Sequence, residues 1–176
     1  MRTRILIASI LVLPAFLIAG DKYQRLNVKT GLWEVTRTQT SEGQMPIPAG
    51  MLAKLTPEQR ARMEARMKEH SGAQTRTTTY KSCVTKEELD KGDAFGGEEK
   101  EACTETIESS TSTRAQVKLV CSMQGISGEG TFEIEALSPE STKGSTHITS
   151  TGGGRTMTVN STFTAKWLGT GCGDVQ

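Results

Sequence analysis

Two thioethers and an imidazole are the first residues whose spacing could do chemistry. Met63, Met67 and His70 fall at i, i+4 and i+7, which places them on one face of a helix. Soft sulfur ligands with an imidazole suit copper(I) in an oxidising compartment. Met45 and Met51, in the loop before, could join them. A plainer reading competes. Met commonly fills irregular gaps in a core, and a His close to a helix C-terminus interacts favourably with the helix dipole.

Other candidates are weaker. His147 lies among Ser145, Thr146 and Thr149, but a nucleophilic serine needs a strained turn and an orienting acid. The segment Gly125-Ile126-Ser127-Gly128 is not a G-x-S-x-G elbow. Gly152-Gly153-Gly154 precedes a strand pattern rather than a helix, so it reads as a hairpin turn and not a phosphate loop. The acids of KEELDKGDAFGGEEKEAC lack the alternating ligands of a calcium loop and read as a solvated acidic loop. Trp33 and Trp167 lie on apolar strand faces near the two ends of the chain; they could line a ligand cavity if the sheet curls, or fill the core. No catalytic residue and no cofactor is assigned from the sequence.

The cysteines take their meaning from the N-terminus. Arg2 and Arg4 precede an apolar run from Ile5 to Ala19, interrupted by Ser9 and Pro14. A basic start, a short apolar stretch and small residues at Ala19-Gly20 predict a signal peptide over residues 1–20 and a periplasmic location. The run is shorter than the roughly 18–20 residues of a membrane-spanning helix. Leu17 or Ile18 occupies a position where cleavage prefers a small residue, so an uncleaved anchor is the alternative. In an exported domain the four cysteines, Cys83, Cys103, Cys121 and Cys172, imply disulfides. No CxxC pair exists to suggest zinc.

Composition bounds the rest. A chain of 176 residues allows one domain, expected over 21–176, with a helical insertion at about 52–70. Charge is balanced at 21 Lys and Arg against 20 Asp and Glu, a field too weak to draw nucleic acid to the whole surface. Aromatics are only 5% and apolar residues 35%, so the core must be thin and covalent staples useful.

The elements that would position these residues are mostly strands. Gly31 to Thr40 alternates, with Trp33 and Val35 on one face and Glu34 and Thr36 on the other. SEGQMPIPAG follows as a loop, and Thr56, Pro57 and Gln59 open a helix with a T-x-x-Q capping box that ends before Gly72. Its apolar stripe is narrow, which predicts a loose helical lid. A second short helix should start at Thr85. Strands rich in Thr and β-branched residues are expected at about 74–82, 103–110, 114–122, 128–137, 142–151 and 155–167. In the last of these Met157, Val159, Phe163, Ala165 and Trp167 share a dry face. Short turns between strands predict a meander. The fold class is therefore mainly β: a curled antiparallel meander of about seven strands with a helical insertion, stapled by disulfides. Folding 103–110 back on 114–122 about Ser112 sets Cys103 opposite Cys121, which leaves Cys83 to pair with Cys172.

The same segments resemble a known family. GLWEVT, the Pro/Met loop, LTPEQRARMEARM, CVTKEELDKGDAF, VKLVCS, GEGTFEI and the terminal KWLGTGCGDV are similar to the exported bacterial family catalogued as domain of unknown function 3617, over nearly all of residues 31–174. The resemblance implies a periplasmic location. It implies no activity, and no catalytic or binding residue transfers with it. The expectation is a non-enzymatic binding or envelope-associated module, with a small apolar ligand or an envelope component as partner. It would not be an integral membrane protein unless the signal stays uncleaved. Copper binding through Met63, Met67 and His70, and an unrecognised enzyme, are the alternatives.

Overall fold

Long alternating runs of Thr and β-branched residues favour extended backbone, because their stiff side chains pack well on a pleated surface. The structure, a computed structural model, describes residues 23–69, 72–95 and 103–175. The predicted signal peptide lies outside the described residues, as does His70. The elements in chain order are β1 (Gly31–Gly43), α1 (Ala49–Ala53), α2 (Pro57–Glu69), β2 (Gln74–Val84), α3 (Lys86–Lys91), β3 (Cys103–Ser110), β4 (Arg114–Met123), β5 (Ile126–Ser138), β6 (Ser141–Gly152) and β7 (Arg155–Gly169). All strands join one open seven-stranded sheet in the order β2-β1-β7-β6-β5-β4-β3, antiparallel throughout. The fold is mostly β, as the alternation predicts.

A simple meander would set β2 beside β3. They lie instead at opposite edges of the sheet. The chain leaving Val84 therefore turns onto one face, where its described residues up to Phe95 lie. Its buried residues show which face: Leu89 of α3 is 1% exposed, and Ala94 and Phe95 are buried with it. These join Leu26, Trp33, Val35, Val84, Ala115, Ile134, Phe163 and Ala165 in a single core cluster. This corrects the reading of that segment as a solvated acidic loop. Of its described acids Glu87 and Asp90 are exposed, while Leu89, Ala94 and Phe95 reach the core.

Local sequence fixes how the crossover starts and stops. Thr85 Oγ1 accepts from the Glu88 amide at 3.1 Å, and the Glu88 carboxylate accepts from the Thr85 amide at 2.8 Å. That reciprocal box begins α3. Gly92 ends it in the left-handed region at φ 82°, with the Tyr23 ring 3.0 Å from where a Cβ would sit. Phe95 then meets Trp33 edge-on at 5.1 Å and stacks on Phe163 at 6.3 Å. The Phe163 ring leans over β6 at Gly144, where a Cβ would stand 2.3 Å from the ring. Glycine there lets one aromatic cover two strands.

The outer face of the sheet is polar. Thr36, Thr38 and Thr40 of β1 pair hydroxyl to hydroxyl with Thr79, Thr77 and Thr75 of β2 at 3.1, 3.0 and 2.9 Å. The insertion between β1 and β2 contributes little to the core. Ile47 is buried at its start, but along α2 Met63 and Met67 are only half-buried and the rest of the described side chains are exposed. If the crossover is the main plug of the core, Phe95→Ala should destabilise by about 3–5 kcal/mol, as for other buried aromatics. Met51→Ala, on the exposed α1, should change stability by less than about 0.5 kcal/mol. Urea melts of the two variants compare them; similar midpoints would refute the assignment.

Candidate functional site

The core-bearing face is not covered along its whole length. Strand register lays its residues out in rows. One row runs Gln39, Ser161, Thr146, Phe132, Val117, Ile107 from β1 to β3, and the next runs Ser41, Val159, Ile148, Gly130, Leu119, Glu105. Phe132, Val117, Val159, Ile148 and Leu119 are all only half-buried. They form a band of partly open apolar surface between α3 with Phe95 at one end and the Pro46–Ile47 segment at the other, where Pro46 approaches Gly152. A narrow cleft of about 30 Å³ opens beside α3, lined by Leu26, Ala94, Ile107, Val117, Phe132 and Ile134 with Tyr23, Lys91 and Glu105 at its polar side. Phe132 and Val117 are common to the cleft and the band.

Arg37 is set into the same face. It alternates with Trp33 and Val35 along β1 and stands opposite Phe163 of β7. Its Nε is buried without a hydrogen-bond partner, and so is the Oγ of Ser161, a residue 7% exposed. Neither residue stood out among the candidates for chemistry. Both were reachable from strand alternation, since Arg37 is two residues from Val35 and Ser161 two from Phe163.

The residues expected to do chemistry fare differently. Met67 Sδ accepts a hydrogen bond from Arg155 Nη1 at 3.4 Å, and Arg155 also approaches Glu64 at 3.9 Å. A guanidinium fixed against that thioether opposes a metal cation at the same atom. The tryptophans are Cα partners across β1 and β7, yet they occupy different surroundings. Trp33 is fully buried, its Nε1 donating to the Lys29 carbonyl at 3.1 Å, so it borders no open space. Trp167 lies at the sheet margin, donating to the Thr30 carbonyl at 3.0 Å with the Lys29 ammonium 4.3 Å from its ring centroid. The broad hollow beside it, about 380 Å³, is lined by Glu34, Thr36, Glu140, Thr164 and Lys166 and is a charged surface depression. His147 Nδ1 donates to Asn160 Oδ1 at 2.6 Å on the polar face. Gly153 and Gly154, both at positive φ, make the turn between β6 and β7.

The two cysteine pairs sit at disulfide distance. Cys103 and Cys121 are directly opposite on β3 and β4, and Cys83 of β2 meets Cys172 beyond β7 with Cα atoms 5.4 Å apart. Each pair therefore clamps one edge strand.

An open antiparallel sheet of seven strands, plugged on one face by its own crossover and clamped at both edges, defines the class of domain. The particular family follows from sequence. The profile of a family described as "Protein of unknown function (DUF3617)" matches residues 28–172, and the chain belongs to that family. It is similar to an uncharacterised protein encoded in the lpd-3 5' region of Pseudomonas putida, 30% identical over 110 residues that cover 60% of this chain and 77% of the relative. No solved structure matches the chain.

Two measurements test this geometry. Non-reducing peptide maps of exported protein should join Cys83 to Cys172 and Cys103 to Cys121; a map joining Cys83 to Cys103 would refute the register. The second concerns Tyr23, whose hydroxyl donates to the Leu89 carbonyl at 2.7 Å. Burial raises its pKa above the ordinary 10.0, helped by the Asp90 and Asp93 charges and opposed by Arg25. The unfolded chain loses this proton first, so stability should fall as pH rises past 10. Tyr23→Phe should lessen that alkaline decline in melts at a series of pH values. An unchanged decline would remove Tyr23 from the packing of α3.

Proposed function

We propose that residues 21–176 are an exported, non-catalytic binding domain that holds an apolar ligand on the inner face of its sheet. Residues 1–20 are its signal peptide and the periplasm its location. The basic, apolar N-terminus supports export, and two cysteine pairs at disulfide distance are consistent with an oxidising compartment. Among the described residues no helix is long and apolar enough to cross a membrane.

The observation that carries the binding reading is the half-open apolar band of Val117, Leu119, Phe132, Ile148 and Val159, framed by α3 and the insertion. A small domain with so few large side chains would ordinarily bury them. Concave or framed apolar surface with a few polar groups is the usual form of a ligand site. Membership in an uncharacterised family adds no activity to this picture.

The fluorescent probe N-phenylnaphthylamine tests it. Wild-type mature domain should bind the probe saturably with enhanced emission. Ile148→Gln, on the inner band, should weaken binding about tenfold, the scale expected for losing roughly one buried aliphatic contact. Val120→Gln, on the outer face, should leave it unchanged. Equal effects of the two variants, or no saturable binding, would overturn the proposal.

A further inference from the structure

We infer that the ligand of the inner face is an amphiphile with an anionic head, a carboxylate or a comparable oxyanion, which Arg37 and Ser161 receive. The inference rests on the reading of that face as a ligand surface and specifies what the ligand must carry.

Arg37 is a fixed cation placed on the side of the sheet that bears the core. Its strand neighbours on that face are Val35 and Gln39, and its cross-strand partner on β7 is Phe163. Arg25 and Arg114 have acidic partners, Asp90 at 3.2 Å and Glu133 at 2.9 Å, while Arg62, Arg66 and Arg76, which form no ion pair among the described residues, are exposed to water. No carboxylate among the described residues forms an ion pair with Arg37, and its Nε is buried with no acceptor. A partly desolvated guanidinium without an anion is costly, and the cost is relieved when an oxyanion arrives.

The second observation is independent of the first. Ser161 is more than nine-tenths buried, and its Oγ also lacks a partner. It stands opposite Gln39 on β7, diagonal to Arg37 and on the same face. Neighbouring strands thus bring a guanidinium Nε and a hydroxyl, each without a hydrogen-bond partner, to one face, where both can donate to one acceptor. The planar fork of arginine suits a carboxylate or phosphate oxygen pair, and Ser161 supplies a further O–H.

Direction follows from register. From Arg37 the apolar band runs toward β4 through Ile148, Phe132 and Leu119. Four strand spacings separate β1 from β4, about 19 Å along the sheet at ~4.8 Å each. A head held at β1 would thus lay a single extended alkyl chain across the band, away from the polar outer face.

The test compares dodecanoate with dodecanol, the same chain with and without the charge, by displacement of N-phenylnaphthylamine. Wild type should prefer dodecanoate by about tenfold or more, the scale of one charge-assisted hydrogen bond. Arg37→Gln should abolish that preference while dodecanol still binds, and Arg37→Lys should retain part of it. Ser161→Ala should reduce it. Arg37→Gln should also melt at least as high as wild type without ligand, because it removes an unpaired charge. Should that variant not fold, Arg37 has a structural partner and the inference fails. If wild type binds both compounds equally, the anionic head is wrong and the apolar site stands. If neither compound binds, both readings fall.

Discussion

An antiparallel sheet that alternates apolar and polar residues has one face that must be taken out of water and one that need not be. In most such sheets a second sheet or a separate layer of helices does the covering. Here the connection that leaves β2 does it, its described part from α3 to Phe95 packing on the inner face. The energy of the fold therefore concentrates where that strap touches the strands. Leu89, Ala94 and Phe95 are the contacts, and the aromatic set of Trp33, Phe95, Phe163 and Phe132 extends them across β1, β7 and β5. With only 5% aromatic residues in the chain, such a set leaves little bulk for the remainder of the face. A half-open apolar band next to a well-filled core is a direct result of covering a wide sheet with a short strap.

A strap also fixes where the weak points lie. Edge strands expose unpaired backbone groups, and natural sheets protect them by several means. In this chain a cysteine pair at disulfide distance lies at each edge, between β3 and its neighbour β4, and between β2 and the tail after β7. The strap leaves from β2 and arrives at β3. The cysteine pairs sit at these two places: Cys83 one residue before the last of β2, and Cys103 at the first of β3. Disulfides at these two places would limit how far either edge can peel. The polar outer face needs less. Its threonine hydroxyls satisfy one another across strands and remain open to water.

Against this background a half-buried arginine without an ion pair, set among core residues of the inner face, is an exception to the pattern, and exceptions of this kind cluster at functional sites. A polar residue at that register position would be cheaper as an alcohol or amide. Arg37 makes no ion pair among the described residues, and neither its buried Nε nor the Ser161 hydroxyl on the neighbouring strand has a hydrogen-bond partner. Both can donate to one acceptor. The proposed anionic head would use that pair, at the β1 side of the apolar band.

Much of the architecture was legible from residue order. Period-two alternation marked the strands, and in Thr85 to Glu88 and Thr56 to Gln59 the capping boxes marked two helix starts. The hairpin register of β3 and β4 followed from two cysteines and a turn, because a slip of one residue would move every side chain to the other face. Local signals of this sort act over a few residues and need no knowledge of the rest of the chain. The strap was not legible, since acids dominate KEELDKGDAFGGEEKEAC and one Leu and one Phe give no period. Nor could spacing separate the roles of Trp33 and Trp167, or show that Arg155 would occupy the Met67 sulfur. Those outcomes depend on which strands become the edges and which segment crosses between them. Strand order is decided by long-range burial, so only the folded sheet could set Arg37 and a buried serine on neighbouring strands of one face.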